Sequence, residues 1–110
     1  MNDPKKPPST LAGFQRKHLR KLAHGLKPVV SVGEAGLTPA IGRALEDALA
    51  HHELVKVKLH QPEDKKAAAA ELARMGGAEL CGLVGHTVIL YRRNEESPRI
   101  EVPERAAAVS

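Results

Sequence analysis

Aromatic side chains are nearly missing from this sequence: Phe14 and Tyr91 are the whole complement, and there is no tryptophan. Modules that hold single-stranded RNA by stacking bases on aromatic platforms need several exposed rings, so that class is excluded. Cysteine is limited to Cys81. One thiol cannot close an intramolecular disulfide or supply a zinc-ligand cluster, and it fits a reducing compartment. No apolar run approaches the roughly 20 residues that a membrane helix needs. The opening Met1-Asn2-Asp3-Pro4-Lys5-Lys6-Pro7-Pro8 lacks the apolar stretch of a signal peptide, so the expected location is the cytoplasm.

What is present is one domain's worth of chain, 110 residues with 42% hydrophobic and 27% charged side chains, a globular balance. Lys plus Arg number 17 against 13 Asp plus Glu, for a formal charge of +4 and a pI near 9.5. A small basic protein has polyanions, RNA above all, among its first candidate partners. Charge balance alone does not choose among them.

Residues 1–9, rich in Pro and Lys, read as a flexible basic arm. A first helix is expected with Thr10 or Ser9 as N-cap, apolar at Leu11, Phe14, Leu19, Leu22, Ala23 and Leu26 and stopped by His24-Gly25 and Pro28. Its other side carries Arg16, Lys17, Arg20 and Lys21 as a broad cationic face. Val29 to Val32 is β-branched and reads as a short buried strand. Thr38 as N-cap and Pro39 at the first helical position open a second helix, apolar at Ile41, Ala44, Leu45, Ala48 and Leu49, that runs to about Ala50. Leu54 to His60 alternates, with Val55, Val57 and Leu59 predicted on a core face and Lys56, Lys58 and His60 on a cationic one. Pro62-Glu63-Asp64 opens a third helix that Gly76-Gly77 ends. Leu80 to Val84 and Thr87 to Tyr91 read as a hairpin around Gly85-His86, a pair suited to a type II′ turn, and Gly82 within the first of these strands marks a bulge position. Residues 94–110 read as a C-terminal arm, which leaves 10–93 as the domain. The predicted order is α-β-α-β-α-β-β, an α+β (α/β) fold with a four-stranded mixed sheet.

Between the first strand and the second helix lies Gly33-Glu34-Ala35-Gly36. Glycines permit close approach of another backbone, and a helix start offers free N–H groups with partial positive charge, a combination that can cradle phosphate. The same spacing also occurs in plain tight turns. No Gly-Lys-Ser/Thr follows, so a Walker loop is excluded, and the phosphate would belong to a polymer rather than to a nucleotide cofactor. From Leu11 to Lys27 no acidic residue interrupts the cations, whereas the second and third helices mix both signs. Of the six histidines, His51 and His52 are adjacent and point apart on a helix, and no Cys or close carboxylate pair completes a metal site. Glu46, Asp47 and Glu53 lack the pairing that acid–base chemistry needs, and Cys81 in a strand reads as a buried inert thiol. No active site is expected.

With these pieces assembled, the chain resembles the CRM domain family (chloroplast RNA splicing and ribosome maturation) in its stand-alone bacterial, YhbY-type form. The likeness is carried by Arg20-Lys21-Leu22-Ala23-His24-Gly25-Leu26-Lys27-Pro28-Val29-Val30, Val32-Gly33-Glu34-Ala35-Gly36-Leu37-Thr38, Ala48-Leu49-Ala50-His51-His52-Glu53-Leu54-Val55-Lys56-Val57-Lys58 and Val84-Gly85-His86-Thr87-Val88-Ile89-Leu90-Tyr91-Arg92. The resemblance implies a fold similar to the C-terminal domain of translation initiation factor three. It also implies a non-enzymatic RNA-binding protein, associated with rRNA or precursors of the large ribosomal subunit. Its glycine loop maps onto Gly33 and Gly36, with Glu34 and Ala35 between them. Its basic surface maps onto Arg16, Lys17, Arg20, Lys21, Lys27, Lys56, Lys58 and Arg92. A negative charge at Glu34 departs from what a phosphate-binding loop would favour. No cofactor, membrane or small-molecule substrate is expected, and a monomer is. The rival expectation is a protein-interaction domain that docks its basic helix on an acidic partner.

Overall fold

A computed structural model describes residues 11–104. The elements follow the predicted order: α1 (Gly13–Ala23), β1 (Val30–Val32), α2 (Pro39–His51), β2 (Leu54–Leu59), α3 (Lys65–Gly76), β3 (Glu79–Val84) and β4 (Thr87–Tyr91). They build one four-stranded sheet in the order β1-β2-β4-β3, with β1 parallel to β2 and the other pairs antiparallel. None of the described helices is long and apolar enough to cross a membrane.

Local chemistry explains most boundaries. The Thr38 hydroxyl accepts from the Ile41 N–H and Pro39 fills the first position of α2, where a missing N–H costs nothing. Asp64 caps α3 through the Ala67 N–H, and Gly77 closes that helix in the left-handed region at φ 57°. Positive φ in the β3–β4 turn falls on Gly85 and not on His86, as the predicted type II′ turn requires. The register slips between Leu80 and Gly82, which is the expected bulge.

Alternation sorts the sheet into two apolar layers. Val55, Val57 and Leu59 of β2 join Val30, Val32, Val88 and Leu90 beneath α2 and α3. Gly76 lets those helices close up, since a Cβ there would meet Leu49 at 2.8 Å. The opposite face was expected to be simply cationic, and the structure corrects this. Leu54, Cys81, Ile89 and Tyr91 on that side pack against Leu19 and Ala23 of α1. α1 therefore covers the half of the face that ends at Leu54 and Tyr91 and leaves the other half open.

Two boundary expectations also change. Thr10 and Ser9, expected as N-cap, lie outside the described residues together with the predicted basic arm 1–9, and α1 starts later, with Ala12 as its N-cap. Alanine has no side-chain acceptor, so Gln15 takes over the end, its Oε1 accepting from the Ala12 N–H at 2.8 Å. Residues 94–104, expected as part of an arm, are docked. Glu53, which is 4% exposed, accepts backbone N–H bonds from Asn94, Arg99 and Ile100 at 2.8, 2.7 and 2.6 Å. Ile100 and Val102 then pack against the α1 cluster, and the Gln15 amide donates to the Pro103 carbonyl.

Candidate nucleic-acid interface

Parallel pairing of β1 with β2 fixes where the loops meet. Each strand runs into a helix at its C-terminal end, so the N-termini of α2 and α3 stand at the same end of the sheet. The Lys65 ammonium donates to the Gly85 carbonyl at 3.2 Å, His60 N–H to Val32 and Leu59 N–H to His86. These bonds gather the 33–38 loop, the 60–64 loop and the β3–β4 turn into one cluster. No acidic residue sits at the N-cap or in the first turn of α2, so its partial positive charge is uncompensated there, whereas the Asp64 carboxylate caps α3.

Gly33-Glu34-Ala35-Gly36 forms a tight turn closed by Gly36 N–H to the Gly33 carbonyl at 3.0 Å. Gly33, Glu34 and Ala35 are exposed. The N–H groups of Glu34 and Ala35 have no partner among the described residues. The two glycines differ. Gly36 sits at φ +76°, a conformation that side-chain-bearing residues resist, whereas Gly33 has no such constraint and a Cβ there would touch nothing within 4 Å. Neither backbone strain nor packing accounts for glycine at Gly33, which leaves room for another molecule's backbone to approach.

The predicted cations divide into three groups. Lys17, Lys21 and Lys27 are exposed and have no partner among the described residues. Lys56 and Lys58 lie on the α1 side of β2; the Lys56 ammonium donates to the Leu26 carbonyl at 3.1 Å and so ties the α1–β1 linker to the sheet. Lys58 lies two residues on, about 7 Å nearer the loop end, opposite Ser31 of β1. These five residues run from the C-terminal part of α1 across the sheet toward Gly33.

Arg16 and Arg20 turn inward instead. Arg16 donates to the Leu11 carbonyl, and Arg20 donates to the Cys81 carbonyl at 2.8 Å with its methylenes lying on Gly82. The expected four-residue cationic face of α1 is therefore reduced to its lysines. Arg92 stands apart. It follows Tyr91, whose register partner is Leu54, about 17 Å along β2 from Leu59 at the loop end. Its guanidinium grips the Glu46 carboxylate through two bonds of 2.7 Å and also donates to the Gly76 carbonyl at 3.0 Å. That paired arginine holds the Glu46 carboxyl below its ordinary range. Arg92 joins β4 to α2 and α3, away from the other cations.

The loop cluster also holds four side chains that the sequence reading did not assign to the site: His60, Lys65, Lys66 and His86. A signal for two of them was available. Lys65 and Lys66 occupy the first turn of α3, where the helix dipole disfavours positive charge, so local helix stability does not explain them. Glu34, Glu63 and Asp64 balance Lys58, Lys65 and Lys66 in number at this end. Within Leu11 to Lys27, by contrast, no acidic residue accompanies the cations along the chain.

Among the described residues no group of three or more His, Cys, Asp or Glu could hold a metal. Cys81 is 1% exposed, and burial above all pushes its thiol up to about 12. It has no nucleophilic character at neutral pH.

Comparison with known proteins agrees with this architecture. The chain is 38% identical over 99 residues to an RNA-binding protein of Haemophilus influenzae, a match spanning 88% of this chain and 99% of the relative. It is 35% identical to the probable RNA-binding protein YqeI of Bacillus subtilis, over 84% of this chain and 99% of that one. The solution structure of the hypothetical protein SAV1595 from Staphylococcus aureus superposes with a TM-score of 0.75 at 32% identity, covering 86% of this chain and all of the other. The family model of the CRS1/YhbY (CRM) domain matches residues 11–92, and with the fold and these relatives in agreement, the chain belongs to that family.

Proposed function

We propose that the protein binds RNA without catalysing a reaction on it, and that its ligand is rRNA within a precursor of the large ribosomal subunit, whose assembly it assists. The observation that carries this reading is the run of Lys17, Lys21, Lys27, Lys56 and Lys58 leading to an exposed glycine turn with unpartnered N–H groups. Ammonium groups and free backbone N–H groups are donors only, and phosphate oxygens are the acceptors that suit both. The names of the Haemophilus and Bacillus relatives support the RNA ligand. The ribosomal assignment follows the family likeness of the stand-alone bacterial form.

Five neutralised phosphates, at about 0.7 each on a single strand and about 0.9 on a duplex, give a slope of about −3.5 or steeper in log affinity against log salt. Affinity for rRNA fragments should then fall about a hundredfold or more between 50 and 200 mM salt. Salt-insensitive binding contradicts the reading. Crosslinking in cells, followed by sequencing of the bound RNA, tests the ribosomal part.

A second reading has one observation in its favour. Leu22 near the end of α1 and Leu26 in the linker that follows it are 44% and 41% exposed, as a surface that docks on an acidic protein would be. Ribonuclease treatment separates the two readings in cosedimentation: it releases an RNA-held complex and spares a protein-held one.

A further inference from the structure

Because α1 stops short of the loop end, one full cross-strand row of the sheet is left uncovered. Register places Ser31 of β1 beside Lys58 of β2, Lys58 beside Thr87 of β4, and Thr87 beside Val84 of β3. All four point to the α1 side, because their neighbours Val32, Val57, Val88 and Leu83 belong to the core beneath α2 and α3. The row spans three strand spacings, about 14 Å. Ser31 and Lys58 are exposed, Thr87 is half-buried and Val84 is 59% exposed. Neither hydroxyl and no ion pair at Lys58 is engaged by any described residue.

The chemistry of this row differs from that of the lysine run beside it. A hydroxyl both donates and accepts, so its natural complement is another hydroxyl, whereas an ammonium calls for an anion. The row offers hydroxyl, ammonium, hydroxyl and an apolar methyl pair in sequence. Ribose-phosphate presents the matching set: 2′-hydroxyl, phosphate and sugar carbon. Base faces have no counterpart, since Tyr91 is 5% exposed within the core and Phe14, the other ring, is half-buried on α1. Unstacked single-stranded bases would gain nothing here, while the wide, shallow minor groove of an A-form helix displays 2′-hydroxyls to such a surface.

We propose that the open row Ser31–Lys58–Thr87–Val84 is a sugar-reading surface for helical RNA, with the Ser31 and Thr87 hydroxyls bonding 2′-hydroxyls and Lys58 bonding the phosphate between them. This deepens the RNA-binding reading and rests on it. It makes the protein selective for ribose through two residues that carry no charge.

The test compares an RNA hairpin with the same hairpin carrying 2′-fluoro sugars, which keeps A-form geometry and phosphates but lacks the hydroxyl. The intact protein should bind the unmodified hairpin about tenfold more tightly, the effect of one to two net hydrogen bonds. The double variant S31A/T87V should lose that preference while binding the 2′-fluoro hairpin as the native protein does. T87S, which retains the hydroxyl, should keep it, and this separates chemistry from any disturbance of the strand. Lys58→Ala should weaken both hairpins equally and lower the salt slope by roughly one unit. Equal affinity of the native protein for the two hairpins, or a preference that survives in S31A/T87V, overturns the inference and leaves RNA binding standing. Failure to bind either hairpin at low salt overturns both.

Discussion

The guanidinium of Arg20 donates to the Cys81 carbonyl at 2.8 Å, and its methylenes occupy the space that a side chain at Gly82 would need. A residue that reads as surface charge is thus the key between α1 and the bulge of β3. A Cβ at Gly82 would lie 2.6 Å from Arg20 Cδ, so Gly82→Ala must displace Arg20. Denaturant titration should show a loss of about 1–3 kcal/mol, the usual range for overpacking. Arg20→Ala should also destabilise, by about 1 kcal/mol, whereas Lys21→Ala should leave stability unchanged and weaken RNA binding.

The two glycines of the loop should respond differently. Gly36→Ala forces a side chain into the left-handed region at φ +76° and should cost about 1–2 kcal/mol. Gly33→Ala has neither strain nor a clash to overcome, and its stability should stay within about 0.5–1 kcal/mol of the native value. If an RNA backbone packs at Gly33, Gly33→Ala should nonetheless bind more weakly, and Gly33→Asp more weakly still. Native affinity in both folded variants would reduce the loop to a turn.

Acid should release the segment that follows β4. Burial pushes the Glu53 carboxyl up, but the N–H groups of Asn94, Arg99 and Ile100 together with nearby Arg93 outweigh it and hold the group below its ordinary 4.5. A depressed carboxyl contributes stability above that value and loses it as pH falls through the folded-state value. Glu53→Ala should cost about 1–3 kcal/mol at neutral pH, because three part-buried N–H groups lose their charged acceptor. Thermal melts should show the gap between native and variant narrowing as pH falls below the ordinary 4.5 and on through the lower folded-state value.

The Cys81 thiol, 1% exposed and raised to about 12, should resist alkylation in the native state. Labelling should then proceed at the rate of unfolding under increasing denaturant. Rapid labelling in buffer would contradict the packing of α1 on the sheet.

What could be read in the sequence was whatever neighbours in the chain decide. Thr38-Pro39 starts a helix by capping its own first turn, and Gly85-His86 turns a hairpin by backbone preference, so both stand where periodicity and turn chemistry put them. The glycine loop falls between its strand and helix for the same reason. Partners distant in sequence were not legible. Arg92 finds Glu46 and Arg20 finds Cys81 only after folding, and a helical wheel draws such arginines as solvent-facing. Residues 94–104 look polar, yet Glu53 supplies a carboxylate for their N–H groups and α1 takes up Ile100 and Val102. The open row went unseen because Ser31 and Thr87 acquire meaning only when strands far apart in the chain are set side by side.

Strand order has a kinetic consequence for synthesis. β4 is the last strand to leave a ribosome, yet it sits inside the sheet, between β2 and β3. Until Thr87–Tyr91 emerges, β2 has one naked edge and the apolar sides of α2 and α3 lack half of the floor they close upon. A nascent chain halted before Thr87 therefore has all three described helices but no closed core, and stays a target for chaperones and proteases.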